Sequence, residues 1–310
     1  MQVHYSTDHL PLFKNAALTI GTFDGVHKGH REVIDAVVAE AKKTGGESVL
    51  VSFHPHPRKI VNSDTSLQLI NTLDEKIELI EKTGIDHLVI SPFTTQFAEQ
   101  TANEYVENFL VKKFHPHTII IGYDHHFGKG REGNFDLLKQ MEQRFSYKLL
   151  EIPKHVIDEI EISSTKIRNA LLHSDIETAN KLLSYCYFFY GKVVHGDALG
   201  RKMGFPTANL VYTNEDKIRL GQGVYAVMVK IDSIPKRGML SIGTRPTVND
   251  TLERVEVNIF DFDGDLYNKT LKVMVKKFLR PQEKYNSIEA MQQQLLQDKQ
   301  QTLQVLSGYS

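Results

Sequence analysis

The chain has 310 residues, long for one domain and comfortable for two. Its 37 Lys and Arg nearly balance 38 Asp and Glu, so no global field draws in nucleic acid or an anionic membrane. A single cysteine excludes an internal disulfide framework, no apolar run reaches a membrane span, and MQVHYSTDHL lacks the apolar core of a signal peptide, so the expected setting is the cytoplasm.

In chain order, short apolar runs at 18–23, 48–53, 87–91, 118–122 and 148–152 predict strands buried on both faces of a parallel sheet. Helical patterns separate them at 31–43, 73–83 and 101–113. The last places Ala102, Tyr105, Val106, Phe109 and Leu110 on one face. This alternation predicts a doubly wound α/β domain whose ligands bind beyond the carboxyl ends of the strands.

After about residue 184 the texture changes. Runs rich in Val, Tyr, Phe and Ile at 191–195, 223–231, 239–242, 255–262 and 270–275 predict an antiparallel β-barrel or sandwich. Asp263-Gly264-Asp265 reads as a tight hairpin turn between the last two. A Gln-rich helix over 287–306 closes the chain, with Ser287 as N-cap and Ile288, Met291, Leu295 and Leu296 as its buried stripe. The expected domains are 1–184 and 185–310.

Within the first half, GTFDGVHKGH at 21–30 joins a strand to a helix through a glycine turn, so His27 and His30 fall one turn apart at the helix start. Unpaired N–H groups and the positive dipole end suit a phosphate there, and two imidazoles can donate to oxygens gaining charge. Gly25 and Gly29 let the backbone approach a ligand. An HxxH pair can also be a surface helix pair or half a zinc site, though Cys186 alone offers zinc no cysteine set. IGYDHHFGKGREGN at 121–134 follows the fourth strand, either as a ligand loop or as a mobile surface loop. ISSTKIRNALL at 162–172 offers Ser163, Ser164 and Thr165 as caps. Lys166 and Arg168 then oppose the helix dipole unless an anion is held there, the alternative being a capped helix with exposed basic residues.

In the second half, GKVVHGDALGRKMGFPTANL at 191–210 carries glycines 191, 196, 200 and 204 before Pro206-Thr207-Ala208-Asn209. Thr207 and Asn209, two apart, can share a magnesium ion bound to ATP; a plain glycine-rich turn is the other reading. Glu256 lies between apolar Val255 and Val257, either as a base for a hydroxyl or as a solvent-facing strand residue.

Together these segments resemble the bacterial bifunctional riboflavin kinase/FAD synthetase family. The HxGH-type signature His27-Lys28-Gly29-His30, FHPHP at 53–57, FGKGREG at 127–133 and SSTKIR at 163–168 match its nucleotidyltransferase module. PTAN at 206–209, Glu256, SIGTRPTVN at 241–249 and FLRPQEKYNS at 278–287 match its riboflavin kinase module. The resemblance implies an N-terminal nucleotidyltransferase fold and a C-terminal antiparallel kinase barrel with a terminal helix. It implies that His27, His30 and Arg168 serve adenylyl transfer, with Gly21, Phe23, Asp24, Gly29, Asp124, Ser164 and Thr165 binding nucleotide or flavin. In the kinase it implies Gly200 and Gly204 on ATP, Thr207 and Asn209 on Mg²⁺ and Glu256 as base. His125 and His126 depart from the family's aromatic and arginine choices, and Asn268 replaces a glycine after Tyr267, where Asn tolerates positive φ. ATP would be co-substrate, and riboflavin, FMN and FAD the substrates and products. Partners would be small molecules, with neither nucleic acid nor membrane; oligomeric state stays open.

Overall fold

A computed structural model describes residues 1–61, 67–153, 162–196, 200, 204–246 and 251–308. The chain divides into two compact units, Met1–Ser164 and Thr165–Ser310. Short helices at Ser164–Leu172 and Ile176–Leu183 precede the first strand of the second unit.

In the first unit the described strands are β1 (Gln2–His4), β2 (Ala17–Ile20), β3 (Ser48–His54), β4 (His87–Pro92), β5 (Thr118–Gly122) and β6 (Lys148–Ile152). They form one sheet in the order β1-β4-β3-β2-β5-β6, with every printed pairing parallel. Ala17 to Ile20 and Ser48 to Phe53 are buried throughout, as unalternated apolar strands require. The order reverses at β2, flanked by β3 on one side and β5 on the other. That switch opens a crevice at the carboxyl ends of β2 and β5.

Helix α1 (Lys28–Thr44) returns the chain from β2 to β3 and ends at Gly45 with φ +60. The face expected over 101–113 is buried at all five positions. Its central turns, Tyr105–Val111, are π-helical.

In the second unit the described strands are β7 (Phe188–Val194), β8 (Ala208–Tyr212), β9 (Gly223–Ile231), β10 (Ile234–Pro246), β11 (Thr251–Ile259) and β12 (Thr270–Arg280). They close a barrel in the order β10-β11-β8-β7-β12-β9, antiparallel in every printed pairing. The expectation of a barrel or sandwich resolves to a closed barrel.

Three sequence expectations are corrected. Asp263-Gly264-Asp265 is not a hairpin turn: β11 pairs with β10 and β8, and β12 with β7 and β9, so the connection crosses the barrel end. The expected strands omit β8, which sits within the glycine-rich motif, and the three-residue edge strand β1. The terminal helix Ile288–Val305 is capped by Ser287 as expected, but Ile288 and Leu296 are 63% and 53% exposed. It packs through the expected Leu295, and through Leu303, on Phe205, Met239 and Phe260, and through Val305 and Leu306 on Ala226 and Met228. Buried Asp298 receives Arg280 Nε at 2.9 Å and Nη2 at 2.6 Å, tying the helix to β12.

Candidate functional sites

In the first unit, the chain leaves β2 and turns through Gly21–Val26 into α1. His27 is the N-cap, and its Nδ1 accepts the His30 N–H at 3.3 Å. That leaves the His27 proton on Nε2, available as a donor. The two imidazoles stack with centroids 3.6 Å apart, and Phe23 meets His30 edge-on at 5.1 Å. Burial pushes His27 down to about 4, against the opposing pull of Asp24. Burial first, then His27 and Lys76, hold His30 well below its ordinary value. Both rings are uncharged at neutral pH, and among the described residues His30 Nδ1, buried, has no hydrogen-bond partner.

Asp24 is 1% exposed, and its Oδ1 accepts Ile70 N–H at 3.0 Å and Asn71 N–H at 3.2 Å. The Ser164 hydroxyl donates to the Asp24 carbonyl at 2.9 Å, so the start of the SSTKIR helix and the histidine turn meet at Asp24. Gly21 lies in the same turn and Gly29 is buried in α1. Further along the helix that starts at Ser164, Thr165 is exposed and Arg168 half-buried.

The loop after β5 emerges beside that turn, as adjacent parallel strands dictate. Phe127 and Gly133 bridge it, N–H to carbonyl in both directions at 3.1 and 2.9 Å, and Tyr105 stacks on Phe127 at 5.0 Å. Asp124 is exposed; its carbonyl lies 2.9 Å from His126 Nδ1. Burial pushes His125 down to about 4, with His126 and Arg131 acting in the same direction.

Sequence reasoning missed Lys76, on the helix Leu73–Glu81. It is 7% exposed, and its Nζ donates to the Thr22 carbonyl at 2.7 Å and to Ser52 Oγ at 3.2 Å. The signal was present: Lys76 occupies the buried stripe with Leu79 and Ile80, a core position where an unpaired cation is costly.

In the second unit, register assembles the site. Leu210 faces Val255 across β8 and β11, both buried, so by the period of two Asn209 faces Glu256 on the other side. Thr207, one residue before β8, donates its hydroxyl to Glu256 Oε2 at 3.3 Å. Arg254 Nη1 lies 3.7 Å from Glu256 Oε1. Asn258 Nδ2 donates to the Pro206 carbonyl at 2.6 Å and pins the PTAN segment. Gly196 lies so close to Asn209 that a Cβ there would overlap its carboxamide.

A cavity of about 660 Å³ opens here, lined by Gly196, Thr207, Asn209, Phe262, Asp263 and Tyr267 among others. Tyr267 stacks on His195 at 4.0 Å, and the next residue, Asn268, stands at φ +63, the conformation expected of it. The Gly200 carbonyl accepts Phe205 N–H at 2.9 Å and Gly204 has φ +79. Residues 197–199 and 201–203 of this motif, and 247–249 of SIGTRPTVN, lie outside the described residues. The Thr207 hydroxyl and Asn209 carboxamide offer oxygen donors, a pair that fits magnesium sharing its sphere with phosphates and water. No group of three His, Cys, Asp or Glu able to hold a metal occurs among the described residues.

Comparison with known proteins agrees with this division. The FAD synthetase family model matches residues 11–166, and the riboflavin kinase family model matches 183–306. A bifunctional riboflavin kinase/FMN adenylyltransferase of Listeria monocytogenes is 36% identical over 291 residues, covering 93% of this chain and 91% of the relative. One from Escherichia coli is 33% identical over 286 residues, covering 92% and 91%. A crystal structure from Streptococcus pneumoniae, described as a macrolide-efflux protein, superposes with a TM-score of 0.87 at 30% identity, covering 97% of this chain and 98% of its own. With two family models in tandem and relatives matched nearly end to end, the chain belongs to the family of bifunctional riboflavin kinase/FMN adenylyltransferases.

Proposed function

We infer that this chain phosphorylates riboflavin to FMN with ATP and then adenylylates FMN to FAD with a second ATP. The carrying observation is the tandem match, each family model falling on a unit with its own phosphate-type site. Functionally the division lies at about residue 184, giving an adenylyltransferase over 1–184 and a kinase over 185–310.

In the kinase, the ribityl 5′-hydroxyl attacks the γ-phosphorus of ATP and ADP leaves. Glu256, held by the Thr207 hydroxyl, orients the attacking hydroxyl and takes its proton. Thr207 and Asn209 would hold the magnesium ion, which when bound neutralises phosphate charge. Gly200 and Gly204 let the backbone approach ATP.

In the adenylyltransferase, a phosphate oxygen of FMN attacks the α-phosphorus of ATP, and the bond to pyrophosphate breaks. The nucleophile is already an anion, so catalysis is positioning and charge stabilisation. Neutral His27 and His30 donate N–H groups to oxygens gaining charge, with no proton transferred. Gly21, Phe23, Asp24 and Gly29 shape the turn that receives the nucleotide, with Asp24 acting through the backbone it binds. By resemblance, Ser164, Thr165 and Arg168 serve the phosphates and Asp124 the flavin nucleotide.

The cytoplasm is the proposed setting, supported by the lone Cys186; no helix among the described residues is long and apolar enough to cross a membrane. Incubation with riboflavin, ATP and Mg²⁺ should yield FMN and then FAD on chromatography, and FMN as starting substrate should yield FAD directly. Flavin binding without either product would overturn the assignment.

A further inference from the structure

The turn that presents His27 holds an unusual backbone. Phe23, Gly25 and Val26 have φ of +47, +93 and +37. Glycine adopts that region freely, whereas a β-branched valine there is strained and persists only when its surroundings over-determine it. The surroundings do so with named bonds. Asp24 Oδ1 accepts two backbone N–H groups, Gly21 N–H donates to the Val51 carbonyl at 3.0 Å, and the Thr22 carbonyl accepts two donors. Those donors are Ser52 Oγ at 3.2 Å and Lys76 Nζ at 2.7 Å, and Lys76 also donates to Ser52 Oγ at 3.2 Å. Burying an ammonium merely to fill a core position is expensive, and an apolar side chain would pack there at less cost.

We propose that Lys76 is a positioning residue of the adenylyl-transfer site. Its buried ammonium fixes the Thr22 carbonyl and thereby the turn carrying Phe23 and His27. The inference rests on the reading of His27 and His30 as transferase residues. The chain of contact is short: Lys76 to Thr22, Phe23 edge-on to His30, and His30 stacked on the capping His27.

Among the described residues, titratable groups act on Lys76 from two elements. Asp24 acts on Lys76 from the turn, and His30 feels Lys76 from α1. From β3 the neutral Ser52 accepts from it, and on its own helix Glu75 Oε2 accepts the Thr72 N–H at 3.0 Å. Burial lowers Lys76 to about 8 while Asp24 pulls the other way. The ammonium therefore dominates at pH 7 and is lost on the mildly alkaline side.

The test uses the full chain, with FAD formation from FMN and ATP as readout and FMN formation from riboflavin as internal control. Lys76→Met should lower kcat for FAD by about a hundredfold, the scale of a small misplacement of reacting groups. KM for FMN and FMN binding, followed by flavin fluorescence, should stay within about threefold, because uniform binding is untouched. Lys76→Arg should recover roughly a tenth or more of kcat and abolish the alkaline fall near pH 8, since a guanidinium does not titrate there. The proposal is overturned if Lys76→Met keeps wild-type kcat, if it loses FMN binding together with turnover, or if Lys76→Arg keeps the wild-type alkaline limb. Failure of the wild-type chain to make FAD from FMN would instead overturn the transferase reading itself.

Discussion

His27 caps the helix that carries His30: its Nδ1 accepts the His30 N–H at 3.3 Å while the two rings stack 3.6 Å apart. One imidazole thus orients the other and fixes its own tautomer in the same bond.

Replacing either ring should act on one reaction only. His30→Ala is expected to abolish FAD formation and spare FMN formation, because the kinase residues lie in the other unit. Product ratios from riboflavin and ATP measure this directly. Equal loss of both products would sink the two-site assignment.

The acid side of the transferase follows from burial of His27. Its folded pKa of about 4 lies below the ordinary 6.5, so the unfolded chain binds the extra proton between those values. Stability therefore falls as pH drops through that window, by up to about 3 kcal/mol from this group. Urea denaturation of the wild-type chain at pH 7 and pH 4.5 should show the loss, and His27→Gln should flatten it. FAD formation should persist to about pH 5 and fail as His27 protonates.

Glu256→Gln keeps the side chain's shape and removes its basicity. FMN formation should fall by about a hundredfold to ten-thousandfold, the range for general-base loss, while FAD formation from supplied FMN stays at wild-type rate. Near-normal phosphorylation in this variant would return Glu256 to the role of a solvent-facing strand residue.

Asp298→Ala leaves the Arg280 guanidinium, 16% exposed, without the carboxylate that takes two of its N–H groups. Breaking such a pair should cost about 3 kcal/mol and loosen the terminal helix. Limited proteolysis should then cut within 288–305 faster than in wild type. Unchanged cleavage would mean that Leu295, Leu303 and Leu306 suffice to seat the helix.

Much of this protein was legible in its sequence. Strands β2 to β5 announced themselves as unalternated apolar runs, because a parallel strand covered on both faces has no polar side to show; β6, expected to be buried on both faces, is an edge strand exposed at Lys148 and Glu151. The stripe from Ala102 to Leu110 was equally plain, although its π-helical winding was not; periodicity reports which residues share a face rather than the turn that joins them. β1 escaped because three residues at a sheet edge carry almost no pattern, and β8 because PTANL reads as the end of a glycine loop. The Asp263–Asp265 turn was misread since local chemistry fixes a turn, while the partner of each strand is chosen by barrel closure. In the terminal helix, apolar spacing suggested Ile288, Met291, Leu295 and Leu296; Leu295 does pack on the barrel, but Ile288 and Leu296 are exposed and the fully buried helical positions are Asp298 and Thr302.

The sequence alone determined the two fold classes, the capping role of Ser287 and the residue types at each proposed phosphate site, because these depend on local pattern and backbone preference. Only tertiary structure decided that Asn209 and Glu256 are register partners, that Asp24 binds backbone from 46 residues away, and that Lys76 is buried against Thr22. Each is a meeting of segments distant in sequence. Such meetings are fixed by strand order and by the satisfaction of buried polar groups, neither of which a short window of sequence contains.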